Sequence, residues 1–197
     1  MKKIFTLALI LVCFHAFAQQ QDSLKKFNNA RTKTTSGGMA VLGSWGIVNL
    51  GTGAVGWTLS QNPEPRYFFQ MNVIWGAVNF GTAVIGFTGL QNDKNKKLTP
   101  AETLKRQEKI EKIFRFNEIL DVAYLGTGIY LKAVGSGRNS PIMQGYGESI
   151  IMQGAFLLVF DGLMYHAEKG NGSKLRNFLE KNPITFDGKR VGIILNM

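Results

Sequence analysis

The chain has 197 residues, a formal net charge of +10, one cysteine, two histidines and 23 glycines. Cys13 and His15 fall within the first eighteen residues, so beyond them His166 stands alone, and disulfides, cysteine–zinc sites, thiol nucleophiles and bis-histidine haem are excluded there. The basic residues lie in flanks and loops around long apolar runs, which makes the lipid bilayer with its anionic headgroups the expected partner and argues against nucleic acid.

Residues 1–18 read as a secretory signal. Lys2 and Lys3 precede an apolar stretch from Ile4 to Phe14, and Ala16-Phe17-Ala18 supplies a small-residue cleavage site before Gln19. An uncleaved anchor is the alternative, although the apolar run is short for a full span. Cys13 does not fit a lipoprotein site, because Val12 precedes it and no polar tether follows.

Residues 19–37 form a polar leader carrying Lys25, Lys26, Arg31 and Lys33. Two uncharged runs follow, 38–60 and 67–90, each longer than the roughly 20 residues that cross a hydrocarbon core. Between them Asn62-Pro63-Glu64-Pro65 reads as a rigid turn. The glycine content of both runs suits membrane helices, where small residues let backbones approach; a water-soluble glycine-rich core is the alternative.

The two runs are copies. Trp45-Gly46, Val48-Asn49, Gly51-Thr52, Gly56, Thr58 and Gln61-Asn62 return thirty positions later as Trp75-Gly76, Val78-Asn79, Gly81-Thr82, Gly86, Thr88 and Gln91-Asn92. Consecutive spans run antiparallel, so a repeated helix relates to itself by a pseudo-two-fold axis in the membrane plane. Gly46, Asn49, Gly53 and Gly56 form one seam, matched by Gly76, Asn79, Ala83 and Gly86. The expected contact is two closely packed helices, with Asn49 and Asn79 hydrogen-bonded near the midplane and Trp45 and Trp75 filling gaps beside the glycines. Inverted repeats also occur in transporters, but there the unit is a multi-helix half.

The segment 93–115 is densely charged. Thr99-Pro100-Ala101-Glu102 predicts an N-cap, a proline at the first helical position and a capping box. This helix either lies on the membrane surface or runs straight into a third span, 116–134, which carries Glu118, Asp121 and Lys132. A loop from Gly135 to Pro141 leads to a fourth span, 142–165, with Glu148 and Asp161 towards its ends. Depth sets Glu118, Glu148 and Asp161 near the headgroups and leaves Asp121 the most immersed charge. Ionisable groups inside a membrane are costly and face the bundle interior or water. Asn117, Asp121 and Tyr124 share a face, as do Gly147, Gly154 and Asp161 with Gln153 beside them. A polar membrane network of Asn49, Asn79, Asn117, Asp121, Gln153 and Asp161 is therefore expected. No nucleophile–base pair is visible, so no enzyme, catalytic residue, cofactor or metal is predicted. The remainder, 166–197, is a polar tail: a short helix over Ser173–Lys181, then a hairpin between Ile184 and Leu195 about an Asp-Gly turn.

Tyr67 to Asn72 with Trp75 and Val78-Asn79, then Asn117, Leu120-Asp121 and Tyr124, then Gly147, Gln153-Gly154, Phe156-Leu157 and Phe160-Asp161, resemble an uncharacterised family of small four-span membrane proteins of Bacteroidetes-type bacteria. The resemblance covers about residues 36–165 and implies architecture without an activity. The expected fold is an all-α four-helix membrane bundle, with a signal peptide and a hairpin tail. The expected role is a structural or interaction component of the bacterial inner membrane, with another envelope protein or a second copy as further partners. A small transporter or channel built on Asp121 is the runner-up, and a membrane enzyme comes third. Orientation carries a conflict: a cleaved signal exports Gln19, yet the leader, the 93–115 segment and the tail hold most of the lysines and arginines and should stay inside.

Overall fold

A computed structural model describes the backbone of residues 2–93, 96–182, 184–186 and 191–193, and the side chains of residues 19–91 and 96–182. It contains four helices, α1 (Lys2–Leu59), α2 (Pro63–Asp93), α3 (Pro100–Gly137) and α4 (Pro141–Lys181), then strands β1 (Ile184–Phe186) and β2 (Val191–Ile193). The strands pair antiparallel, with Thr185 opposite Gly192. The Asp-Gly turn expected between them lies outside the described residues.

Helix ends follow local chemistry. Pro63 and Pro65 do not interrupt the chain as a turn; they occupy the first turn of α2, where a missing N–H goes unused. Thr99 caps α3, its side chain accepting from the Glu102 backbone N–H while the Glu102 carboxylate accepts from the Thr99 N–H at 2.9 Å. The Thr99 backbone N–H and, at 3.0 Å, the Thr99 hydroxyl both donate to the Glu102 carboxylate and hold it below its usual range. Ser140 caps α4, preceded by Asn139 at φ 49°, a left-handed geometry that asparagine tolerates.

Three helical stretches, Gln19–Leu59, Pro63–Gln91 and Pro141–Lys181, are long and apolar enough to cross a membrane. At 38 residues α3 has the length, but its charges keep it below the same apolarity. Side-chain placement is the reverse of a water-soluble bundle. Asn49, Asn72, Asn79, Asp121, Gln153 and Asp161 are buried, whereas Ile47, Ile85, Ile119, Ile129, Val159 and Leu163 are exposed.

The helices pack as two hairpins, α1 on α2 and α3 on α4, joined chiefly by α4 against α2 and then against α1. Each hairpin crosses at glycine. A Cβ added to Gly46 would lie 2.7 Å from Phe80 N, and one added to Gly76 would lie 2.7 Å from Leu50 N. Gly53 meets Phe69 and Val73, Gly56 meets the Phe69 ring, and Gly86 meets Met39, so all five predicted packing glycines lie on the α1–α2 seam. In the second hairpin Gly128 and Gly147 cross in the same manner, and Gly135 and Gly154 extend the seam by one heptad each.

Two expectations about the ends change: the leader 19–37 is the continuation of α1, and the helix expected to begin at Ser173 is the last part of α4. The charged segment takes the second of its two expected courses, its helix running from Pro100 straight into the third span. Charge marks where lipid would end, but helical hydrogen bonding continues past it when the next turns find partners. Here they do: Leu24, Leu175 and Leu179 form a second core with Phe27, Leu104 and Phe178 against them. Helices α1, α3 and α4 thus make a three-helix stalk about 24 Å long, at 1.5 Å per residue over some sixteen residues.

A buried carboxylate joins stalk to bundle. Glu168 accepts from Thr35 Oγ1 at 2.8 Å, from Gln107 Nε2 at 3.2 Å and from Asn171 Nδ2 at 3.4 Å. Burial pushes its carboxyl above the usual range, against the pull of those donors and of the Arg31 charge. Beside it Arg176 pairs with Glu111 at 3.3 Å.

Candidate functional site: two buried polar clusters

The six polar residues expected as one network divide into two groups. In the first, Gln153 of α4 is fully buried and uses its amide on both sides. Its Oε1 accepts from Trp45 Nε1 at 2.8 Å and Asn79 Nδ2 at 3.4 Å. Its Nε2 donates to Asn49 Oδ1 at 2.7 Å and Asn72 Oδ1 at 3.2 Å. Two acceptor and two donor bonds are the full capacity of a glutamine amide. Asn49 turns its own Nδ2 to the Trp45 carbonyl at 2.8 Å, and Ser149 Oγ donates to Asn72 Oδ1 at 2.5 Å.

Asn49 and Asn79 therefore do not bond to each other, as the repeat predicts; Gln153 stands between them. The physical reason is the glycine crossing. Gly46 and Gly76 bring the α1 and α2 backbones together one turn away, and the asparagines diverge towards the third helix. Trp45 is also more than a gap filler, since it donates to Gln153 and stacks on Phe156 with centroids 4.1 Å apart. Trp75 packs edge-on to Tyr124 at 5.1 Å.

The second group bridges α3 and α4 towards the stalk. Asp121 and Asp161 are both at least nine-tenths buried, with their carboxyl groups side by side. Asn117 Nδ2 donates to Asp161 Oδ1 at 3.4 Å. Asp121 Oδ2 is buried without a hydrogen-bond partner. Glu118 lies one turn out, paired with Arg115 Nη1 at 2.6 Å and with its side chain 26% exposed. Its Oε1 stands 3.6 Å from where a Gly162 Cβ would lie, so the carboxylate rests against α4 beside Asp161. Met39, Leu42, Ala83, Phe114, Leu157, Phe160 and Met164 form an apolar core beside the two polar levels.

Asn72, Ser149 and Glu168 were not among the predicted site residues. Asn72 falls one heptad before Asn79, and Ser149 one turn before Gln153, so a search along each face would have reached both. Glu168 lies beyond the apolar run and carries no such signal. Among the described residues no group of three or more His, Cys, Asp or Glu could hold a metal ion.

No curated protein and no solved structure matches the chain. Residues 41–162, which contain both polar clusters and both glycine crossings, match a family of unknown function, DUF6992, and the chain belongs to that family.

Proposed function

We propose that the protein is a structural or interaction component of a bacterial inner membrane, a four-span bundle presenting a helical stalk. The observation that supports this reading best is the closed valence of Gln153. Its four hydrogen bonds go to side chains of the bundle, so the central polar group fixes the register of three helices and keeps no donor or acceptor for a ligand. The reading takes α3 as a fourth span despite its charges, because Asp121 faces α4 and the exposed side of the helix carries Phe116, Ile119, Val122 and Ile129.

The partners in this proposal are the bilayer, with basic stalk residues near anionic headgroups, and another envelope protein or a second copy engaging the stalk. An exported N-terminus places the stalk outside the cytoplasm; the charge bias favours the opposite side. The test is reconstitution. Purified protein in liposomes should pass no common ion with or without a membrane potential, while Asn79→Leu and Gln153→Met lower thermal stability. Ion flux well above empty liposomes would overturn the structural reading.

A second reading, a small transporter or channel, is favoured by one observation. Among the described residues two buried side-chain oxygens lack a hydrogen-bond partner, Asn28 Oδ1 in the stalk and Asp121 Oδ2 in the span-bearing part of the bundle.

A further inference from the structure

The geometry points to a proton-binding site: Asp121 and Asp161 hold one proton between α3 and α4 and exchange it with the stalk-side solvent through Glu118. This goes beyond the structural reading and does not depend on whether the protein transports anything.

Three features carry it. First, Asp121 and Asp161 are buried side by side, and two ionised carboxylates cannot share a dry site without a cation between them. The proton belongs to the pair rather than to either residue. Second, Asp121 Oδ2 is buried without a donor. An oxygen left so is far more costly on an ionised carboxylate than on a neutral acid, which again favours a protonated pair. Third, among the described residues no salt bridge reaches either aspartate, and on α4 Lys169 lies over the Tyr165 ring at 5.5 Å. The adjoining core from α1 and α2 offers Met39, Leu42, Ala83 and Trp75, none of them charged. On α3 the nearest cation, Arg115, is engaged by Glu118 and lies over the Tyr165 ring of α4 at 5.5 Å. Glu118 adds a further negative group.

Glu118 is also the way in. It sits one turn from Asp121, rests on α4 beside Asp161, and is the one carboxyl of the three that reaches solvent. A proton taken up at Glu118 has a short step to Asp161, and the charge balances at each stage because a carboxyl group is neutral with the proton and anionic without it.

Infrared spectroscopy of the full chain in liposomes tests this directly, reading the carbonyl stretch of a protonated carboxylic acid. Protein labelled with carboxyl-¹³C aspartate should show one isotope-shifted acid band at neutral pH. The band should vanish in Asp121→Asn and in Asp161→Asn, whose amide donates in place of the proton. Glu118→Gln should keep the band but slow its response to a pH jump by tenfold or more. Absence of any aspartic acid band in the wild-type protein at neutral pH overturns the proposal without need of a variant. A band that survives both aspartate substitutions overturns it as well, and an unchanged rate in Glu118→Gln overturns the route through Glu118. Proton flux, measured separately, bears on transport and leaves the infrared result untouched.

Discussion

Gly128 lies against Gly147 so closely that a Cβ on either would stand 2.8–2.9 Å from the carbonyl oxygen of the other. Gly46 and Gly76 have the same relationship across α1 and α2, with the same distances. The second hairpin thus reproduces the crossing of the first without reproducing its sequence. Such contacts sit closer than real Cβ atoms do, and the nearest neighbour at each glycine is a backbone atom that cannot step aside. Gly128→Val and Gly147→Val should therefore each destabilise the bundle by about 1–3 kcal/mol through overpacking. Gly126→Val, where a Cβ meets open space, should change stability by less than about 0.5 kcal/mol. Unfolding in detergent, followed by circular dichroism, separates them; equal losses at Gly126 and Gly128 would show that the crossing does not limit packing.

Gln153 invites a graded series. Replacing it by methionine keeps the volume and removes four hydrogen bonds, leaving the Trp45 and Asn79 donors and the Asn49 acceptor unpaired while Asn72 keeps the Ser149 hydroxyl. Hydrogen bonds between membrane helices average about 0.6 kcal/mol with a maximum near 1.7, so a total loss of about 2–4 kcal/mol is expected. Asn79→Leu removes one long bond and should cost about 1 kcal/mol or less. A larger loss for Asn79→Leu than for Gln153→Met would mean that the repeat, and not the glutamine, organises the centre.

Much of the first hairpin is legible in the sequence, because Gly46, Asn49 and Gly56 recur at Gly76, Asn79 and Gly86 and identity exposes the shared seam. The role of Gln153 is not. A donor and acceptor pattern on one helix states what it needs and not which helix provides it, and Gln153 lies 104 residues from Asn49. Along α4 the heptad of Gly147, Gly154 and Asp161 is visible, yet its match on α3 runs Asp121, Gly128, Gly135, with the aspartate at the other end of the order. Antiparallel packing then brings Asp121 towards Asp161, a pairing that only the crossing point determines. The stalk escaped for a different reason. Its boundaries were drawn where charges begin, but Leu24, Leu175 and Leu179 are spaced too sparsely among charges to announce a core.

The neck should discriminate packing from charge. Glu168→Leu would leave the Thr35 hydroxyl without its acceptor in a fully buried site, while Gln107 keeps the Glu168 carbonyl at 2.8 Å and Asn171 keeps Thr34 Oγ1 at 3.1 Å. An unsatisfied buried group costs about 1–3 kcal/mol, so a loss of about 2 kcal/mol is expected. Glu168→Gln retains an acceptor oxygen and sheds the cost of burying a charge, and should lose about 1 kcal/mol or less. Limited proteolysis in the stalk provides a local measure: cleavage should accelerate strongly in the leucine variant and little in the glutamine variant. If both behave like wild type, the stalk is held by the Leu24–Leu175–Leu179 core alone.

Topology can be decided with two cysteines. Helices α1, α3 and α4 converge in one stalk, so the leader, the start of α3 and the end of α4 must share a side of the membrane, and the α3–α4 turn must lie on the other if α3 crosses. In a Cys13→Ala background, Lys97→Cys before α3 and Ser136→Cys near that turn are both at exposed positions. An impermeant thiol reagent applied to intact spheroplasts should label one and spare the other. Labelling of Lys97→Cys alone places the stalk outside and means that the signal at residues 1–18 governs insertion over the charge bias. Labelling of Ser136→Cys alone places the stalk inside, as the lysines and arginines demand, and makes the first helix an uncleaved part of the protein. Equal labelling would remove the fourth span, and with it the four-span reading of the bundle.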